Sequence, residues 1–302
     1  MNRSPSIFWP DQPRRDQRRF AAGVLAPIMS SVGRSVRVAS IGADPMPGCA
    51  DSTSRASMPV SGLRRGLAGT SLVAAALALP VAAQAQTYQC SAPSSVERVR
   101  PDLPSDSQPK RDIPIGSYTL AITWAPQYCR DNGSRTGSTF QCAAGNRFGF
   151  TLHGLWPDGI GKDWPQYCHD AEFVPPPVIK AHLCTTPSAQ LLQHEWAKHG
   201  TCMPGYRPAK YFAQSAALYG KLKFPNMDAL SRTSLTAGRF AAAMASANPG
   251  LKADMMRVTA TKQGWLDEVW ICLDRRFRYR RCPVHQGGLA VGAPLEIWRG
   301  SR

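Results

Sequence analysis

The sequence predicts an α+β fold, in which a central, mainly antiparallel β-sheet is packed with several helices in a single disulfide-stapled domain. Two observations predict it. Strand-like segments with alternating apolar residues interleave with helical segments, without the regular spacing of βαβ units. Nine cysteines are present, and those that follow an amino-terminal leader form an even set, which favours disulfides in an exported chain.

Residues 62–85, GLRRGLAGTSLVAAALALPVAAQA, have the pattern of a secretory signal peptide. An arginine pair precedes an apolar run, and the small residues at its end suit cleavage. The run is too short to span a membrane. We predict a signal peptide at residues 58–85 and a secreted or periplasmic protein with no membrane attachment after cleavage. Residues 1–57 are predicted to be a non-native upstream extension from a misassigned start; a genuine but dispensable extension is the alternative.

The segment after the leader differs in composition from the rest. Residues 86–114 are rich in Ser, Pro and charge, which predicts a mobile N-terminal arm before a domain at residues 115–302. The domain opens with SYTLAITWAP, residues 117–126, where large apolar residues alternate with small or hydroxyl residues. That alternation predicts a half-buried strand. A Gly- and Ser-rich loop at residues 130–139 is expected to follow it.

RFGFTLHGLWP, residues 147–157, predicts a second strand. Successive side chains of a strand point to opposite faces, so Phe150 and Leu152 share one face and His153 lies on the other. We therefore expect His153 opposite the core side. Residues 157–187, which contain three consecutive prolines, are predicted to be loop.

Three helices and a further strand are expected in the remaining sequence. For the first helix, Thr186 is the predicted N-cap, Pro187 the first helical residue and Gly200 the stop signal. The patterns cover residues 187–199, 208–222 and 236–247 for the helices and 267–274, DEVWICLD, for the strand.

HEWAKHGTC, residues 194–202, concentrates titratable groups on one of these helices. His194 and Lys198 are one turn apart, as are Glu195 and His199, so two adjacent stripes carry four such groups. A solvated helix face is the alternative. The zinc motif HExxH places its histidines four residues apart so that both point at one ion. Here they are five apart with a lysine between them, which disfavours a metal site.

Sequence proximity favours two disulfides, Cys129 with Cys142 and Cys272 with Cys282. Composition alone leaves the other pairings open. The alternative use of cysteine is a zinc site built from Cys168, His169, His182 and Cys184. These residues lack a recognisable zinc spacing, and an exported chain meets an oxidising compartment.

HGLWP, residues 153–157, is the second motif, and together with HEWAKHGTC it resembles the two active-site signatures of the ribonuclease T2 family. Both motifs match in full and occur in order, about forty residues apart. Supporting similarity is found in SYTLAITWAPQYC, in WPQYC at residues 164–168, and from ICLD through Cys282. The resemblance covers nearly all of the chain after the leader.

The resemblance implies a role for each residue that matches a motif. His199 would be the general base and His153 the general acid. His194 would hold the phosphate, while Glu195 and Lys198 would stabilise the charged transition state. Spacing alone does not say which histidine is the acid.

The resemblance also implies two base-binding residues and a disulfide. Trp156 is predicted to stack on a base, with a core tryptophan as the alternative, and Asp158 is predicted to contact the base. Trp196 is expected to pack in the core. The implied disulfide joins Cys168 to Cys202, which leaves Cys90 for Cys184.

The chemistry of RNA explains why these residue types suffice. RNA carries a 2′-hydroxyl beside each phosphodiester, so an enzyme needs only a base, an acid and positive charge at the phosphate. Histidine, with a pKa of roughly 6.5, suits both proton transfers. The resemblance implies a metal-independent endoribonuclease that uses no cofactor and converts single-stranded RNA to 2′,3′-cyclic phosphates and then 3′-phosphates. A catalytically inactive basic RNA-binding or toxin-like protein and a zinc hydrolase are the alternatives.

The formal net charge of +16 favours a polyanionic partner. We expect RNA as substrate, no obligate protein partner and a monomer. RRFRYRRC, residues 275–282, would place three arginines in one stripe if it were a strand, and that stripe could follow an RNA backbone. A solvated hairpin is the equally favoured alternative.

Overall fold

The structure, a computed structural model, describes residues 87–143 and 145–300. The predicted upstream extension and signal peptide lie outside the described residues. The strands are β1 (Thr87–Gln89), β2 (Ile115–Trp124), β3 (Arg147–Phe148), β4 (Phe150–Gly159), β5 (Leu235–Thr236), β6 (Met256–Ala260), β7 (Leu266–Leu273) and β8 (Pro294–Leu295).

Seven α-helices accompany these strands in the described part of the chain. They are α1 (Ala125–Asn132), α2 (Thr139–Cys142), α3 (Pro176–His182), α4 (Ala189–Lys198), α5 (Pro208–Tyr219), α6 (Met227–Leu230) and α7 (Ala237–Ala247). Short 3₁₀ turns lie at Gly200–Cys202, Ala253–Met255 and Val284–Gln286. Helices and antiparallel strands therefore occur together, as the α+β prediction requires.

The centre of the fold is a four-stranded sheet in the order β4-β2-β7-β6, with every neighbouring pair antiparallel. One face of β2 carries Leu120, Ile122 and Trp124, all buried in the main apolar cluster with residues of α4, α5 and α7. The other face carries Thr119 and Thr123, which are buried among polar side chains. The sheet thus separates an apolar core from a polar face.

The polar face of β4 contains an irregularity at His153. The partners of Ala121 and Ile122 in β2 are Gly154 and Leu152, so the register skips one residue. A bulge of this kind bends the strand and changes the direction of a side chain. His153 lies opposite the core side as predicted, but it is buried rather than exposed.

Two helix starts differ from the sequence prediction. Residues 157–187 are not all loop, because α3 begins at Pro176. Proline is well suited to the first position of a helix, since its fixed φ is helical and the nitrogen at that position needs no hydrogen-bond partner. In α4 the N-cap is Ser188, whose hydroxyl accepts from the Leu191 nitrogen, rather than Thr186. The Thr186 hydroxyl instead donates to the Leu152 carbonyl of β4.

Four disulfides join the eight cysteines of the described chain. The pairs Cys129–Cys142 and Cys272–Cys282 confirm the prediction from proximity. Cys168–Cys202 and Cys90–Cys184 are the pairs that followed from the family resemblance. Because Cys168 and Cys184 are in different disulfides, the alternative zinc site is wrong.

The segment predicted as an arm lies along the domain. Cys90 ties its start to Cys184, and β1 pairs with β3. Near its end, Arg111 and Gln166 exchange both backbone hydrogen bonds at 2.9 Å. None of the helices described in residues 87–300 is long and apolar enough to cross a membrane.

Residues 275–282 form a turn after β7 rather than a strand. Leu273 and Tyr279 make an isolated antiparallel bridge, and Phe277, with φ of 59°, packs on Tyr118 at a ring-centroid distance of 4.7 Å. Arg278 pairs with Asp274 at 2.9 Å. The chain here is a hairpin with exposed arginines, so the alternative of a solvated hairpin is the observed one.

Candidate active site

His153 lies between two carboxylates. Its Nδ1 is 2.5 Å from Glu268 Oε1 of β7, and its Nε2 is 3.4 Å from Glu195 Oε1 of α4. Burial lowers the pKa of His153, but the charge and hydrogen bond of Glu268, with the charge of Glu195, raise it to about 9. The imidazole is therefore protonated at neutral pH.

Glu268 is a site residue that the sequence analysis missed. It lies in the predicted strand DEVWICLD, where nothing local marks it as different from its neighbours. Besides His153, its carboxylate accepts hydrogen bonds from the Thr123 hydroxyl and the Trp270 indole nitrogen, both at 2.8 Å. Burial raises the pKa of Glu268, but the charge of His153 and these donors hold it below its usual value. Glu268 is thus an anion with fixed orientation.

Glu195 enters the same space from the helix. Its Oε2 accepts from the Trp156 indole nitrogen at 2.9 Å, while its Oε1 lies 3.4 Å from His153 Nε2. Gly154 makes this approach possible, because a Cβ at that position would collide with the Glu195 carboxylate. The glycine of HGLWP is therefore required by the close contact of β4 and α4.

His199 is the C-cap of α4 and has the opposite surroundings. Its buried Nδ1 has no hydrogen-bond partner among the described residues. Burial lowers the pKa of His199, and the positive charges of Lys198, His194 and His153 lower it further, well below 6.5. A buried polar atom without a partner costs about 1–3 kcal/mol, which is explained if the ring serves a ligand.

Trp156 contacts both histidines. Its ring stacks on His199 with centroids 5.5 Å apart and meets His153 edge-on at 5.0 Å. The side chain is 4% exposed, so this geometry does not support the predicted stacking on a base. The alternative weighed for it, a packed tryptophan, agrees with the structure, and Trp196 is buried in the main core as expected.

His194 and Lys198 lie on the next stripe of α4. His194 Nδ1 is 2.9 Å from Asp102 Oδ2, and the same carboxyl accepts from the Tyr167 hydroxyl at 2.7 Å. Lys198 is buried. Asp102 is the second residue that the sequence analysis missed, because it belongs to the segment interpreted as a mobile arm.

Asp158 lies farther along the polar face of β4 and is partly exposed. Its carboxylate accepts from the Thr119 hydroxyl at 2.8 Å, and Gln286 donates to that hydroxyl at 2.6 Å. Four of the predicted residues form one contiguous cluster: His153, Trp156, Glu195 and His199. Asp158 instead belongs to a chain of hydrogen-bonded polar side chains with Thr119 and Gln286.

These features have a chemical consequence. A strand histidine that holds its proton and a buried helix histidine that stays neutral, with carboxylates and a lysine around them, are groups able to give and take a proton. In residues 87–300 outside the gap at position 144, no group of three His, Cys, Asp or Glu side chains is arranged to hold a metal ion.

The chain belongs to the ribonuclease T2 family, whose model matches residues 115–282. A protein named as a probable ribonuclease in Haemophilus influenzae is 32% identical over 181 residues, which cover 56% of this chain and 61% of that protein. Ribonuclease S-2 of Antirrhinum hispanicum is 28% identical over 176 residues, or 52% of this chain and 71% of that one.

Among solved structures, the chain is similar to trichomaglin, which is described as an S-like ribonuclease. The TM-score is 0.49 at 22% identity, with 61% of this chain and 98% of that chain covered. The alignment with the Haemophilus relative spans 61% of that protein's length.

Proposed function

We propose that the protein is an endoribonuclease that cleaves single-stranded RNA by acid–base catalysis without a metal ion. One observation carries the proposal: two buried histidines that both contact Trp156 have opposite electrostatic surroundings. Membership of the ribonuclease T2 family supports the same activity.

The first step needs a neutral base and a protonated acid. The low pKa of His199 suits it to accept the proton of the 2′-hydroxyl. The pKa of His153, about 9, suits it to donate a proton to the departing 5′-oxygen. The product is a 2′,3′-cyclic phosphate. In a second step the roles reverse, and water opens the ring to a 3′-phosphate.

The phosphate is held by positive charge during both steps. We assign His194 to phosphate binding, and Lys198 with Glu195 to the transition state, where charge on the phosphorane oxygens is greatest. Burial raises the pKa of Glu195 in spite of the charges of His153 and His194, and its Oε1 lies 3.4 Å from His153 Nε2. DNA is not a substrate, because it has no attacking hydroxyl.

Glu268 and Trp156 act through the histidines. Glu268 positions His153 and keeps it protonated, as the aspartate of a Ser-His-Asp triad orients its histidine. Trp156 packs on both rings and orients Glu195 by its indole hydrogen bond. Asp158 remains our candidate for base recognition, since its carboxylate is partly exposed and held by Thr119.

We further propose that the protein works in an oxidising compartment, secreted or periplasmic, after removal of a signal peptide at residues 58–85. Four disulfides in the described chain support this location. Residues 1–57 are proposed to be a non-native extension, 86–114 an N-terminal segment, and 115–302 a ribonuclease domain that works as a monomer.

The test is to incubate the exported, oxidised protein with a defined RNA oligomer in excess EDTA and to read the product termini by mass spectrometry. We expect 2′,3′-cyclic phosphates that later become 3′-phosphates, and no cleavage of the matching DNA. Binding of the RNA without new ends, from mildly acidic to neutral pH, would instead support the inactive RNA-binding alternative. Activity that EDTA abolishes would support a metal-dependent hydrolase.

A further inference from the structure

The N-terminal segment runs beside the helix that carries the histidines. Gln190 and His194 are one turn apart on α4. The Gln190 side chain pairs with the backbone of Arg100, accepting from its nitrogen at 2.8 Å and donating to its carbonyl at 3.2 Å. His194 contacts Asp102 at 2.9 Å. Arg100 and Asp102 are two residues apart, which spans about 6.6 Å in an extended chain, and one helical turn spans about 5.4 Å. The spacing of the two residues in the segment therefore matches that of Gln190 and His194 on the helix.

Asp102 is held from a second direction by Tyr167. The Tyr167 hydroxyl donates to Asp102 Oδ1 at 2.7 Å, so each carboxylate oxygen has its own partner. Tyr167 is itself fixed: its ring is buried, its φ is 50°, and its backbone nitrogen donates to the Lys198 carbonyl at 2.8 Å. The adjacent Cys168 is bonded to Cys202, just after α4. A non-glycine residue at positive φ persists only where its surroundings determine it.

The same segment is tied down on both sides of Asp102. Before it, Cys90 is bonded to Cys184, and after it Arg111 pairs with Gln166. Asp102 also lies outside residues 115–282, the part that matches the family model. The carboxylate is therefore supplied by a part of this chain that the family match does not include.

Resting on the proposed ribonuclease activity, we infer that Asp102 is a positioning residue for that reaction. It accepts the Nδ1 proton of His194 and so presents the other ring nitrogen to the phosphate of RNA. Because Tyr167 holds the Asp102 carboxylate in place, the ring orientation is set before substrate arrives. That arrangement lowers the entropic cost of binding.

Charged groups from two elements lie near His194. Glu195 and His199 of its own helix interact with it electrostatically, and Asp102 of the N-terminal segment interacts with both His194 and Lys198. Glu195 also contacts His153. Burial raises the pKa of Asp102, but its hydrogen bonds with His194 and Tyr167 and the nearby positive charges hold it below its usual value. Asp102 therefore stays ionised at mildly acidic and neutral pH.

The experiment compares the wild-type protein, Asp102→Asn and the control Asp106→Asn, all as exported, oxidised full chains. Asp106 is exposed in the same segment, so the control removes the same charge without touching His194. Steady-state cleavage of an RNA oligomer is measured at pH 5 and pH 7.5, with thermal unfolding to check the fold. We expect Asp102→Asn to raise KM about 10-fold at both pH values, because the charge-assisted hydrogen bond that orients the His194 ring is lost. We expect kcat to change less than KM, and the control to match wild type.

A second variant, Tyr167→Phe, keeps the carboxylate and removes one hydrogen bond to it. We expect the same direction of change in KM with a smaller size, about 2- to 3-fold at pH 7.5. This variant decides the question if Asp102→Asn does not fold.

Two outcomes would overturn the inference while the wild type cleaves RNA: unchanged KM in both variants, or a loss confined to kcat. A wild-type protein that does not cleave RNA would overturn the proposed function itself, and the two failures are thus distinguishable.

Discussion

The surroundings of His153 and His199 differ although both side chains are almost fully buried, at 6% and 3% exposure. Around His153 two carboxylates, Glu268 and Glu195, favour the protonated ring. Around His199 burial is reinforced by three positive groups, and its Nδ1 has no partner in the described chain. Burial alone would make both rings neutral. The comparison teaches that neighbouring charge, rather than depth, separates the two histidines.

Removing the imidazole of either histidine should have the largest effect on cleavage. We expect His153→Ala and His199→Ala each to lower kcat by about 10²–10⁴-fold, with RNA binding and the folded state retained. The double variant should be little worse than either single one, because the two groups act in the same step. Rapid-quench cleavage assays measure the rates, and His169→Ala, at an exposed position, is the control. Full activity in either single variant would contradict the assigned roles.

Glu268→Gln should reduce the difference in pKa between His153 and His199 while keeping both imidazoles. His153 works as an acid below its pKa of about 9, so the alkaline limb of log kcat/KM should lie near pH 9 in the wild type. Without the Glu268 charge the pKa of His153 falls, and the alkaline limb should move to lower pH. We expect a loss of about 10-fold at pH 8 and a smaller one at pH 5. Since Gln keeps the shape of the side chain, an alkaline limb that stays in place would show that Glu268 does not hold the proton on His153.

Lys198→Met should act on the other histidine and with a smaller effect on the pH profile. Lys198 lowers the pKa of His199, after the larger contribution of burial. Removing the lysine charge raises the pKa of His199. The base then becomes protonated at a higher pH, so the acidic limb of the pH profile should move to higher pH. We expect kcat to fall about 10-fold while KM changes less, because the lysine charge acts on the phosphorane. The exposed Lys210→Met is the matched control, and an acidic limb at the wild-type position would argue against this role.

Prediction from the sequence worked best where a short pattern is sufficient. Strand patterns predicted β2 and β7, and helical patterns predicted α4, α5 and α7, each within a few residues of the observed ends. Prediction worked less well at residues 157–187, which were expected to be loop, because α3 begins there with proline at its first position. The bulge at His153 also left no local pattern in the sequence.

The sequence by itself determined the family, the even cysteine set and the residue types of the two motifs. These are local properties, because each motif lies on one strand or one helix turn. It also determined that His153 is on the face opposite the core, since side chains alternate along a strand.

Only the tertiary structure decided which charges surround each histidine. Glu268 and Asp102 lie 115 and 92 residues from the histidines that they contact, and the sheet order and the path of the N-terminal segment bring them together. Electrostatic effects on a pKa depend on distance in space and on exclusion of water. Neither can be read from residue spacing, so the opposite pKa shifts of His153 and His199 became visible only once the chain was folded.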